Sequence, residues 1–117
     1  MSQGCAPYSN TALGATAALV KAGSVELDWY HIFNTTTAEC YVQFFDAAAT
    51  TAVTVGTTTP TFVLGIPAET ASGLGNGACC ALSKPVKFTT GIVVASTTTA
   101  TGDSAATTVM ALGVSKS

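Results

Sequence analysis

Hydrophobic and polar positions alternate most clearly at Val25–Phe33, VELDWYHIF, where Val25, Leu27, Trp29, His31 and Phe33 share one face. Glu26, Asp28, Tyr30 and Ile32 take the other. A period of two in β-branched and aromatic residues predicts a half-buried strand. After the turn Asn34-Thr35-Thr36-Thr37 the pattern resumes at Glu39–Asp46, with Cys40, Val42 and Phe44 on one face and Tyr41, Gln43 and Phe45 on the other. Two strands this close in sequence predict an antiparallel hairpin at the centre of the fold. Trp29 and Phe44 are its expected core anchors.

A third strand is expected at Thr61–Ile66, with Phe62, Leu64 and Ile66 on one face and Pro67 closing it. Val86-Lys87-Phe88 leads through Thr89-Thr90-Gly91 into Ile92–Ser96, an unbroken apolar run that fits a strand buried on both faces. Thr107–Val114 reads as the last strand. Ala47–Pro60, Ala68–Ala78 and Thr97–Ala106 are Thr-, Ala- and Gly-rich and predict surface loops. Asn10–Ala22 reads either as a poor helix or as a weak strand, since Gly14 and Thr16 interrupt the good helix formers. Residues 1–24 are expected to form a flexible N-terminal arm with one weak strand at most, and residues 25–117 a single domain. Several short strands, regular turns and no strong helix predict an all-β fold, a small antiparallel β-sandwich of jelly-roll or Greek-key type.

Composition sharpens this picture. The 117 residues suit one domain with a genuine core. Only 9% are charged, whereas 21 are Thr and 20 are Ala, so hydroxyls and small side chains must form much of the surface. No apolar run approaches the ~20 residues that span a bilayer as a helix. Net charge is −2, and the four basic residues are the scattered Lys21, Lys84, Lys87 and Lys116. Nucleic acid is not an expected partner, because phosphate neutralisation needs a clustered basic face. The absence of Arg removes the usual bidentate anion reader. Nor does the pattern suggest a membrane partner. The residues Met1–Pro7 lack a basic n-region and Ala17–Val20 is too short for a signal core, which predicts synthesis in a cytoplasm.

Candidate chemistry is thin. His31 is the only histidine and no nucleophile or orienting carboxylate is placed beside it by sequence. Glu26 and Asp28 stand about 7 Å apart on one expected strand face, a spacing that a glycosidase pair could use, but a solvated face is the simpler reading. Asp46 and Asp103 lie outside any cluster of calcium ligands. Gly73, Gly75 and Gly77 lack the phosphate-loop pattern. Asn34-Thr35-Thr36 matches a glycosylation sequon in pattern alone. Trp29, Tyr30, Tyr41, Phe44 and Phe45 read as core packing rather than as a base-stacking platform. Cys5, Cys40, Cys79 and Cys80 form neither a disulfide framework nor a zinc pattern and read as reduced and structural. No enzyme, catalytic residue, cofactor or metal is expected.

Several motifs stand in order along residues 25–108: Trp29-Tyr30-His31-Ile32-Phe33-Asn34-Thr35-Thr36, Tyr41-Val42-Gln43-Phe44-Phe45-Asp46, Val55-Gly56-Thr57-Thr58-Thr59-Pro60, and Ile66-Pro67-Ala68. Val86–Ile92 and Thr101–Thr108 follow. As a set they resemble a family of small virion structural proteins of tailed bacteriophages. The resemblance implies a structural protein of a phage virion, made in the host bacterial cytoplasm. Low charge, long Thr/Ala/Gly loops and an N-terminal arm make a capsid decoration or cement protein on the virion the leading expectation. Its expected partners are the major capsid protein of the phage head and further copies of itself as a homo-oligomer. The alternative is a tail, neck or fibre module for host-surface or glycan recognition. The Gly-rich stretch 73–77 with Cys79-Cys80, and a tail without an aromatic final strand, depart from the family pattern.

Overall fold

Alternation and β-branching dominate the chain, and the computed structural model places them in eight strands among the residues it describes, 6–34, 36–68 and 76–116. The strands are β1 (Ala6–Leu13), β2 (Ala18–Ala22), β3 (Val25–Asn34), β4 (Cys40–Asp46), β5 (Phe62–Ile66), β6 (Asn76–Phe88), β7 (Gly91–Thr97) and β8 (Thr108–Lys116). A single 3-10 turn at Thr50–Ala52 interrupts the loop after β4. They form two antiparallel four-stranded sheets, ordered β1-β8-β3-β6 and β2-β7-β4-β5. Every connection except β4–β5 crosses from one sheet to the other, and this interleaving is the jelly-roll arrangement of the β-sandwich. The expected fold class is the observed one.

The core lies between the sheets. Val25, Leu27 and Ile32 of β3, Phe88 of β6, and Met110, Leu112 and Val114 of β8 meet Cys40, Val42 and Phe44 of β4, Ile66 of β5, and Ile92 and Val94 of β7. Phe44 is fully buried and packs edge-to-face on Phe62, with centroids 4.9 Å apart. Its role as a core anchor holds. All seven residues of β7 are buried, as its unbroken apolar run indicates. Phe62 and Leu64 of β5 pack against the same core, also as their alternation indicates.

Three expectations are corrected by the pairing. β3 and β4 are not a hairpin: β3 lies between β6 and β8, while β4 lies between β5 and β7. The turn after Asn34 is an arch between sheets, and the sequence-adjacent pair is β4–β5, from Cys40↔Ile66 to Phe44↔Phe62. Residues 6–22 hold two strands rather than an arm with one weak strand, because β1 pairs with β8 and β2 with β7. Residues Asn76–Ala78, expected in a loop, begin β6, which pairs with β3 from Asn34↔Asn76 to Val25↔Phe88. Poor strand formers are held there by a neighbouring strand, since β-propensity is largely a matter of context. The remainder of that expected loop, 69–75, and Cys5 lie outside the described residues.

Candidate interaction surface

Asp28 decides what the β3 side chains face. Leu27 pairs with Val114 and Trp29 with Gly113, so Asp28 is one residue extra against β8. On the other side the segment 82–85 of β6 lies opposite the same point. A β-bulge reverses the in–out alternation beyond it. Val25 and Leu27 point into the core before the bulge, and Ile32 and Asn34 do so after it. Tyr30 packs against that core. Trp29, His31 and Phe33 are thereby moved to the outer face. Trp29 is half-buried, His31 exposed and Phe33 40% exposed.

The expectation that Trp29, His31 and Phe33 share a face with Val25 and Leu27 is therefore wrong, and Trp29 is not a core anchor. Strict alternation holds only while a strand contains no extra residue. Because both faces of residues 29–33 are apolar or aromatic, the sequence offered no contrast to expose the switch.

The outer face around this row is built from small residues. Beside the aromatic row, β8 presents Val109 and Ala111, both half-buried, and Gly113, which is buried. Beyond β8 lie Pro7 and Ser9 of β1, registered with Gly113 and Ala111. On the other side the β6 backbone places Gly77, Cys79 and Ala81 opposite Phe33, His31 and Trp29. The rings of His31 and Phe33 lean together, with centroids 4.6 Å apart at 51°. Charge appears at one end, where Glu26 is registered with Lys87 and Ser115.

The outer face of the second sheet is treated differently. Phe45 and Ala47 of β4 and its extension, with Val93 and Ala95 of β7, form a second buried cluster. Val53 and Val55 of the β4–β5 loop and Ala17 pack on it. Gln43, also buried, donates from Nε2 to the Thr97 hydroxyl at 2.7 Å and to the Gly102 carbonyl at 3.1 Å, tying the β7–β8 loop to the sheet.

The polar residues singled out by sequence prove to be fold clamps. Asn34 is fully buried, and its Nδ2 donates to the carbonyls of Ala38, Ile66 and Pro67. Its Oδ1 accepts from the Thr36 N–H and hydroxyl, so this amide holds the β3–β4 arch to the end of β5 and is closed to a glycan. Asp46 accepts N–H bonds from Thr89, Thr90 and Gly91 and one from the Thr89 hydroxyl. Burial raises the pKa of this carboxyl, but the hydrogen bonds outweigh it and the net shift is downward from 3.8. A Cβ at Gly56 would lie 2.9 Å from the Asp103 Cβ, so the β4–β5 and β7–β8 loops meet there. Cys40 is a buried free thiol, pushed up to about 11 by burial, with the Ser96 hydroxyl opposing part of the rise. Tyr41 donates to Glu39 Oε1 at 2.7 Å on the surface, and this bond raises its phenol pKa. The side chains of Cys79 and Cys80 lie outside the described residues.

Glu26 and Asp28 are both half-buried, Glu26 registered with Lys87 and Ser115 and Asp28 at the bulge itself. Among the described residues no pocket is present and no three His, Cys, Asp or Glu side chains gather as metal ligands. What the fold does bring together is a surface: the Trp29–His31–Phe33 row on a bed of small residues. In comparisons with known proteins, no family model, curated protein or solved structure matches this chain.

Proposed function

We propose that this chain is a structural protein of a bacteriophage virion, a decoration or cement protein that binds the major capsid protein and stabilises the head shell. The observation that carries the reading is that the motifs of the resemblance meet in space. Asn34 bonds Ile66 and Pro67, Asp46 bonds Thr89, Thr90 and Gly91, and Gly56 lies against Asp103. Residues spaced far apart in sequence thus act as the clamps of one jelly roll, an architecture used by viral capsid domains and by lectins. This is support by fold and motif, not by a catalytic constellation. The low charge adds to it, since interface cores are depleted in charged residues. Many weak contacts repeated over one shell would supply the affinity.

Purified virions test the reading. The expected result is hundreds of copies per particle, quantified against the major capsid protein, with density for this chain over the head in cryo-EM. Density confined to the tail would refute it. One observation favours a second reading, a tail, neck or fibre module for glycan recognition: Trp29 and Phe33 lie on an outer face, where aromatic rings can stack on sugars. That reading requires a dozen copies or fewer and binding of the isolated chain to host surface glycan.

A further inference from the structure

We infer that the outer face of the β1-β8-β3-β6 sheet is the interface of a symmetric dimer of this chain. The ridge Trp29–His31–Phe33 runs along β3, and directly beside it β8 carries the low row Val109–Ala111–Gly113. A ridge and a furrow side by side on one face are self-complementary. A two-fold axis running along the strands between β3 and β8 seats the ridge of each copy in the furrow of the other, the isologous contact that closes a dimer.

Area and chemistry favour a second copy over other occupants. Four strands spaced about 4.8 Å apart, with a ten-residue central strand rising about 3.4 Å per residue, give a footprint on the order of 600–700 Å² before side-chain relief. A stable interface buries roughly 800 Å² per partner, so the face is the right size when wholly used. The charges lie towards one end: Glu26 stands beside Ser115 and Lys87, and Asp28 and Lys84 lie at the bulge where the ridge begins, while the ridge and furrow themselves carry no carboxylate or ammonium. A sugar site sets several hydrogen-bonding side chains around its rings, whereas here the ridge offers His31 alone between the Trp29 and Phe33 rings and the row beside it is Val, Ala and Gly. The sheet on the far side of the sandwich offers no such surface, because Val53 and Val55 already cover it. The inference does not depend on the virion reading.

Trp29 is the only tryptophan and sits in the ridge, so it reports directly on this interface. Purified chain is examined by sedimentation velocity from sub-micromolar to 200 µM, with tryptophan emission recorded over the same dilution series. The expected result is a dimer whose dissociation shifts the emission to the red. Ala111→Lys and Phe33→Glu, each checked by circular dichroism and thermal melting for an intact fold, are expected to weaken dimerisation at least 100-fold. Tyr41→Ala, on the outer face of the other sheet, is expected to leave it unchanged. A wild-type chain that remains monomeric at 200 µM overturns the inference. So does a dimer that survives both folded face variants. Monomeric wild type whose Trp29 emission shifts blue only on adding host glycan or virion shells would reassign the face to that partner.

Discussion

The two outer faces of the sandwich carry the same kind of residue to opposite ends. Phe45 and Phe33 both point away from the central core, yet Phe45 is 1% exposed and Phe33 is 40% exposed. The first is covered by the chain's own β4–β5 loop through Val53 and Val55. The second, with Trp29 and His31, meets no covering loop among the described residues. A loop can hide an outer face only where it is anchored, and among the described residues the anchors of the covering loops stand on the β2-β7-β4-β5 sheet. Asp46 holds the β6–β7 turn there, Gln43 holds the β7–β8 loop through the Gly102 carbonyl, and the Asp46 N–H donates to the Thr61 hydroxyl at the return of the β4–β5 loop. One outer face is thus part of the fold, whereas the other stays uncovered among the described residues.

The sharpest way to break the comparison is to truncate the same residue type on both faces. Phe45→Ala should destabilise the chain by about 3–5 kcal/mol, the usual result of emptying a buried aromatic site. Phe33→Ala should change monomer stability by no more than about 0.5 kcal/mol, as expected for a surface side chain. Chemical denaturation of both variants at concentrations below dimer dissociation measures the gap. Equal losses would show that the two faces are equally structural.

Next in size is Gly91, at the head of β7 under the covered face. Its φ is +153°, and a Cβ there would come within 2.5 Å of the Ala47 carbonyl and 2.7 Å of the Lys21 carbonyl. Gly91→Ala should cost about 1–3 kcal/mol in backbone strain, with the clash adding to it. A thermal melt close to wild type would mean that the β6–β7 turn can shift away from Ala47 without disturbing the cover.

A smaller effect should appear with pH. Asp46 has a folded-state pKa below its ordinary value of 3.8, so its charged form is favoured by folding. The stability it contributes is complete above about pH 4–5 and is lost as pH falls through the folded pKa. Asp46→Asn should therefore flatten the acid limb of the stability curve while leaving the slope near neutrality unchanged. Denaturant midpoints from pH 7 down to pH 2 for both proteins provide the measurement. An acid limb identical in the two would remove Asp46 as an anchor of the covered side.

Local pattern was enough to place the strands of the second half of the core and their buried residues. Alternation in Cys40–Phe45 and Phe62–Ile66, and the unbroken run Ile92–Ser96, are local properties of a pleated backbone, so β4, β5 and β7 could be read directly. Composition likewise indicated a surface poor in charge. Tertiary structure alone decided which strands pair. Val25–Asn34 and Cys40–Asp46 look like a hairpin from their spacing, but burying both on one core is achieved equally well across two sheets. The choice between them rests on β6 and β8, which arrive from 40 or more residues away. Tertiary structure also recruited Asn76–Ala78 into β6, where pairing along β3 overrode weak intrinsic preference. Most consequentially, it decided the face of Trp29, His31 and Phe33. One unpaired residue, Asp28, reverses every side chain after it, and the surplus is defined only by the register of neighbouring strands. The residues of the exposed aromatic row were visible in the sequence, but their outward direction was not, because direction on a strand is a property of pairing.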